Sequence, residues 1–223
     1  MMDINAVFDL LDHWRQLPAY QLERRADIFF SLYLSEILKD ALDIHIKGTI
    51  VPEFPVKQPR TNRSDKVDYL AVTADGRKLV YVELKTDDNS LRRTQFDYLI
   101  RAASCPPHQV LEDLQQIAMA TRKKTKYAAL QSILEQMDLF GSQILRFPES
   151  SQVILIQPKS KVESWVTQMF KDSEVEFSVI GFNQVADIVS GHKDPISKRF
   201  SKSLRLWTPP EDLGRDGDEG LHM

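Results

Sequence analysis

Residues 66–86 read KVDYLAVTADGRKLVYVELKT, and the fold of the chain turns on how this stretch pairs with itself. Two runs rich in β-branched and aromatic residues, 67–73 and 78–85, flank Asp75-Gly76, a dipeptide that tolerates the positive backbone angles of a hairpin turn. Centring the turn between those two residues sets Ala74 opposite Arg77, Leu70 opposite Tyr81 and Asp68 opposite Glu83. Side chains alternate along a strand, so Lys85 shares a face with Glu83. The reading predicts two carboxylates and an ammonium on one face of a hairpin, with Val67, Ala71, Val80, Val82 and Leu84 on the other.

Such a grouping is costly unless something compensates it. Two like charges about 4 Å apart repel by roughly 4 kcal/mol at an effective dielectric near 20, and a divalent cation between them reverses the sign. Hard cations such as Mg²⁺ take one or two carboxylates together with waters and phosphate oxygens. A cross-strand ion network neutralised by Lys85, or a slipped register that separates the acids, accounts for the same residues without a metal. Against these stands the apolar run LVYV before Glu83, which predicts a strand buried on both faces, where unpaired charge is expensive.

The flanking segments supply further candidates. Upstream, residues 21–42 have the apolar spacing of a helix, with Phe30, Tyr33, Leu34, Ile37, Leu38 and Ala41 as its buried stripe and Glu36 beside that stripe. Residues 44–56 read as an edge strand, since Pro52 and Pro55 suit a strand without ladder donors on both sides. In one register this strand sets Glu53 beside Asp68. The connection KQPRTNRSDK, residues 57–66, holds Lys57, Arg60, Arg63 and Lys66 against one acid, a solvated turn or a phosphate-neutralising loop. Downstream, Asn89 or Ser90 can cap a helix over 91–103 that begins with Arg92 and Arg93 and carries Gln95 in its second turn.

An Asp on one strand followed by Glu-x-Lys on the next, here Asp68 and Glu83-Leu84-Lys85, resembles the PD-(D/E)XK nucleases. The resemblance covers about residues 20–105 and includes the preceding helix, an upstream Glu and the polar helix with Gln95 and Tyr98. Val67 stands where the pattern has Pro, and Gln95-x-x-Tyr98 is one residue shorter than the Gln-x-x-x-Tyr of one nuclease branch. The resemblance implies an α/β fold of the restriction-endonuclease-like kind, a central mixed β-sheet flanked by α-helices. It implies metal-dependent hydrolysis of phosphodiester bonds, in DNA before RNA, with Mg²⁺ as cofactor and Mn²⁺ as a substitute. Asp68, Glu83 and the Leu84 carbonyl would hold the ion, with Glu36 or Glu53 as the upstream acid. Lys85 would orient or deprotonate the attacking water and stabilise charge on the phosphorane, and Gln95 would position the water or the lysine. Lys57, Arg60, Arg63, Lys66, Arg92 and Arg93 would contact the nucleic acid, and a homodimer is compatible with this reading. An inert nucleic-acid-binding module of the same fold and a structural or interaction protein are the alternatives.

At 223 residues, 42% hydrophobic and 27% charged, the chain is of a size and composition to bury one core. A net charge of −3 gives no overall attraction to nucleic acid, so any such binding must come from local basic patches. One cysteine, Cys105, excludes an intramolecular disulfide and offers no zinc spacing. No signal peptide or bilayer-spanning run is read, and a cytoplasmic protein without membrane association is expected. The remaining expectations are a helix over 3–16 ended by Pro18, helical pattern over 108–139 broken by the basic ATRKKTKYAA, and a β-α-β ending over 152–181. A short helix follows over 185–189, then an amphipathic SKRFSKSLRLW as strand or helix. One domain is expected over 1–207, with a helical insertion at about 106–140 and a disordered tail from 208 to 223.

Overall fold

The chain is described by a computed structural model over residues 3–61, 63–87, 91–140 and 147–210. In chain order its elements are α1 (Ile4–Trp14), α2 (Glu23–Leu42), β1 (Val51–Lys57), β2 (Ser64–Val72), β3 (Lys78–Leu84), α3 (Arg93–Ser104), α4 (Pro107–Ala120), α5 (Lys124–Gln136), β4 (Ser150–Gln157), α6 (Ser164–Asp172), β5 (Glu176–Gly181), α7 (Phe182–Ser190) and α8 (Pro195–Trp207). The strands form one sheet in the order β1-β2-β3-β4-β5, antiparallel from β1 to β3 and parallel from β3 to β5. This is the mixed sheet between helices, of the α/β class, that the sequence predicts. Among the described residues no helix is long and apolar enough to cross a membrane.

The hairpin of β2 and β3 has the expected register, with Leu70 opposite Tyr81 and Ala71 opposite Val80. Its turn is wider than a two-residue one. Gly76 alone of the Asp75-Gly76 pair has positive φ, at 74°, and Thr73 N–H donates to the Lys78 carbonyl across four intervening residues. Asp75 closes the loop by accepting from the Thr73 hydroxyl at 2.6 Å and the Arg77 N–H at 3.0 Å. Nothing lies within 4 Å of the position a Gly76 Cβ would take, so a substitution there meets only backbone strain. Gly76→Val should therefore lower stability by about 1–2 kcal/mol, read from urea midpoints, and Gly76→Asn by clearly less.

Each face of the sheet has its own core. Tyr69, Ala71, Val80, Val82 and Leu84 pack with Ile154, Ile156 and Ile180 under α1, α2, α7 and α8. Val51, Phe54, Val56, Val67, Leu70, Val72, Leu79 and Tyr81 pack with Val153 and Leu155 under α3, α4, α5 and α6. Val67 was expected on the face of Ala71 and lies on the opposite one. The alternation breaks at a single rung: Pro52 pairs with Tyr69 and Phe54 with Val67, and between them Glu53 takes a left-handed backbone with φ of 51°. Val51 and Phe54, three residues apart, thus share a face, as do Val67 and Leu70. The irregularity sits beside Asp68.

Other elements differ in extent. The edge strand begins only at Val51, because Asp43 ends α2 in the left-handed region and Ile46 makes just an isolated bridge to Thr73. The basic C-terminal segment is a helix, α8, and it holds α1 through buried polar contacts. Arg199 donates to Asp9 at 2.7 Å and Asp12 at 2.6 Å, and the Trp207 indole donates to Asp12 at 2.7 Å. The helical stretch around 106–140 divides into α4 and α5 at Thr121–Lys123, both buried in the second core. The caps expected at Asn89 or Ser90 and the tail beyond residue 210 lie outside the described residues.

Candidate active site

Strand β3 is buried on both faces up to its end, where it delivers two charged residues into the interior: Glu83 is 3% exposed and Lys85 2%. The Lys85 N–H donates to the Ile156 carbonyl of β4 at 2.8 Å, which holds the backbone in place past the last strand residue. One step beyond the Tyr69–Val82 pair, Asp68 crosses the hairpin and accepts the Leu84 N–H at 2.7 Å. The expected group is thereby assembled. Lys85 Nζ donates to Glu83 Oε1 at 2.8 Å and to the Leu84 carbonyl at 2.9 Å, and lies 3.4 Å from a Glu23 oxygen. The Tyr98 hydroxyl stands 3.0 and 3.2 Å from the two Glu83 oxygens and 3.0 Å from the Lys66 carbonyl.

Burial dominates the protonation of the acids. It raises the Asp68 carboxyl, and the nearby Glu83 raises it further, to about 8, against the opposing pull of Lys85 and the Leu84 N–H. Burial likewise raises Glu83, although Lys85 and the Tyr98 hydroxyl favour its ionised form. For Lys85 burial works toward neutrality, but Glu83, Glu23 and Asp68 outweigh it and hold the ammonium above the ordinary lysine value. Burial and the adjacent Glu83 keep the Tyr98 phenol protonated.

The group opens to solvent through a cleft of about 320 Å³ lined by Glu23, Glu53, Lys66, Asp68, Glu83, Lys85, Gln95 and Tyr98 among others. This joins a larger groove of about 790 Å³ that runs past the start of α2 and past Arg92 and Thr94 at the start of α3. Glu53 lies in the cleft, exposed and paired with Lys66. Gln95 also lines it, but its Oε1 accepts the Arg92 N–H at 3.3 Å and so serves first to cap α3. Arg93 is exposed at the first position of α3, and Arg60 and Arg63 are exposed on the hairpin loop.

Two expected residues are elsewhere. Glu36 is not at the cleft: it lies thirteen residues along α2 from Glu23, about 20 Å of helical rise, beside Tyr33 and Asp194. The helical acid that reaches the site is Glu23, in the first turn. Lys57 points away, its ammonium bound to Asp113 and Gln116 of α4. Glu23 escaped the sequence reading although it heads the buried stripe through Ala26, Phe30 and Ile37, where a charged residue is unexpected. Tyr98 was visible as part of a pattern, but its phenol needs a partner when half-buried and Glu83 supplies it.

Among the described residues no three His, Cys, Asp or Glu side chains are grouped closely enough to hold an ion by themselves. The site can offer a metal Asp68, Glu83 and the Leu84 carbonyl. That set contains only hard oxygen donors, and it suits an ion such as Mg²⁺ that keeps several waters. Buried Glu83 and half-buried Asp68, both with raised pKa values, also fit a site where a cation would favour the ionised carboxylates. Lys85 now bridges Glu83 and the Leu84 carbonyl, so an ion there requires the ammonium to move, and Glu23 is the adjacent acceptor.

No family model and no curated relative matches the chain. Among solved structures, a repair endonuclease from Pyrococcus abyssi aligns at 14% identity over 67% of this chain and 46% of its own, with a TM-score of 0.28. The EndoMS-dsDNA2 complex aligns at 17% identity over 67% of this chain and 44% of its own, with a TM-score of 0.24. This chain spans less than half the length of either. At these TM-scores neither likeness bears on what this chain does.

Proposed function

We propose that this chain is a nuclease that hydrolyses phosphodiester bonds of DNA with Mg²⁺, for which Mn²⁺ can substitute. The reading rests on one observation: a buried Glu83–Lys85 pair and the half-buried Asp68 carboxyl meet at the mouth of an open cleft, at the carboxyl end of a strand in an α/β sheet. Burying charge costs several kcal/mol per ion and returns little stability even when paired. The carboxyl ends of parallel strands are where open sheets of this class bind ligands.

Asp68 and Glu83, helped by the Leu84 carbonyl, are the groups that would hold the ion, with Glu53 as the upstream acid across the hairpin. A bound ion supplies charge neutralisation at the phosphate and lowers the pKa of its water. Tyr98 fixes the Glu83 carboxylate by its hydrogen bonds. Lys85, held charged by three acids, is a poor base, so its role in this proposal is to orient water and stabilise charge on the phosphorane. Gln95 positions water at the cleft side, and Lys66, Arg92 and Arg93 face the phosphates nearest the cut.

The bonds Lys85 already makes favour a second reading, a self-neutralised structural network, which would have no metal affinity. Calorimetric titration with Mg²⁺ or Mn²⁺, on wild type and Asp68→Ala, separates the two. Heat of binding in wild type that vanishes in the variant is expected. Its absence in wild type, with no cleavage of linear, branched or single-stranded DNA or of RNA, would remove the nuclease reading.

A further inference from the structure

The β1–β2 loop and the junction of α4 and α5 carry five exposed cations, Arg60, Arg63, Arg122, Lys123 and Lys126, whose side chains have no partner among the described residues. Their basic neighbours are committed: Lys57 and Arg101 are bound to carboxylates, and Lys124 to the Ala118 and Met119 carbonyls. The uncommitted charge of this region is therefore gathered in two segments.

The fold brings these segments to the end of the sheet that holds the acidic site. Lys57 bonds Gln116, which fixes the last turns of α4 beside the β1–β2 loop, and Arg122 lies two residues past the end of α4 at Ala120. From there α5 runs back along β1. Its C-terminal end is held by Lys47, which donates to the Met137 carbonyl and Asp138, and the Lys47 N–H bonds the Val72 carbonyl at the far end of β2 from Asp68. So α5 begins, with Lys123 and Lys126, at the hairpin end. Ser64, where the loop meets β2, is four residues from Asp68, about 13 Å along the strand.

We propose that these five cations form a second phosphate-binding surface for the duplex flank of a DNA substrate. This rests on the nuclease reading of the Asp68 site and adds the form of the substrate to it. The surface starts about 13 Å from Asp68 and extends on through the α4–α5 junction. At 3.4 Å per base pair, that is about four base pairs and more from the cut phosphate. A duplex is stiff over about 150 base pairs, so it presents phosphates at that displacement without being ordered on binding, which a single strand would need.

The test is fluorescence anisotropy of the full chain in EDTA, which prevents cutting, over a range of salt. The probes are a duplex of about 24 base pairs, a short duplex of about 4 base pairs held closed as a hairpin by its own loop, a single strand of the longer length and anionic vesicles. Combined Arg122→Ala, Lys123→Ala and Lys126→Ala should lower the slope of log affinity against log salt on the long duplex by about 0.9 for each phosphate no longer neutralised. It should leave the short duplex unaffected. Arg60→Ala with Arg63→Ala, checked for folding by circular dichroism, should act in the same direction. An unchanged slope on the long duplex in both sets overturns the surface and leaves the nuclease reading standing; a wild type that binds no nucleic acid in EDTA overturns the surface, and one that also cuts none with Mg²⁺ overturns both. Equal weakening on the single strand overturns the duplex assignment. Loss of vesicle binding alone would assign the surface to a membrane.

Discussion

Lys85→Ala is expected to retain most of its affinity for Mg²⁺ and to lose turnover by roughly 10²- to 10³-fold, the range found when a preorganised charge stabiliser is removed. Asp68→Ala and Glu83→Ala should behave differently, losing ion affinity and cleavage together, because their oxygens are the proposed ligands. The split arises because Lys85 acts on charge that develops in the transition state, while the acids act in the ground state as well. Removing one member of a buried pair also destabilises the fold, typically by about 3–5 kcal/mol, since Glu83 would lose its bond to Lys85. Ion affinity is therefore measured first, by calorimetry at a temperature where circular dichroism shows each variant folded, and product formation second. A self-neutralised network expects the reverse order: all three substitutions change stability and none changes metal binding. Equal cleavage by wild type and Lys85→Ala would mean that the activity comes from elsewhere.

The hairpin carrying this group was readable because alternation, the Asp75-Gly76 dipeptide and an apolar run all point to one register, although of the pair only Gly76 adopts positive φ. The register of β1 on β2 was left open by the long loop between them, and the structure adopts the one that sets Glu53 level with Asp68, between the Pro52–Tyr69 and Phe54–Val67 pairs. Glu23 was not readable. A helical wheel shows which residues border a buried stripe, but which end of the stripe meets the strand termini depends on how α2 lies across the sheet, and that is settled by tertiary packing. The same holds for Lys57, whose charge is spent on Asp113, a residue 56 positions away. The break in alternation that sends Val67 to the second core is local in cause, a left-handed Glu53, yet Glu is a residue type from which that conformation would not be predicted.

Raising the pH of the metal-free protein should destabilise it, and Asp68→Asn should abolish most of that loss. The folded Asp68 carboxyl titrates at about 8, against 3.8 for the unperturbed group. Below about pH 4 it is protonated in both the folded and unfolded chains and contributes no pH dependence. Between about 4 and 8 the unfolded chain has released the proton and the folded one retains it, so the unfolded state binds fewer protons and stability falls as pH rises. Above about 8 the loss is complete. At about 1.4 kcal/mol per unit it amounts to at most around 6 kcal/mol for this group, and Glu83, also raised, adds in the same direction. Urea midpoints from pH 5 to 9 in EDTA should decline steeply for wild type and clearly less for Asp68→Asn, in which Glu83 alone still titrates. A level wild-type profile would show that Asp68 is ionised in the folded state from low pH and would remove the electrostatic cost on which the metal reading draws. The same proton must leave when an ion binds, so below about pH 8 each Mg²⁺ taken up should release close to one proton, and affinity should rise with pH. Titrations in two buffers of different ionisation heat measure that proton directly. Where the wild-type profile declines as expected, a release near zero would separate Asp68 from the ion, leaving Glu83 and the Leu84 carbonyl as too small a ligand set to hold it.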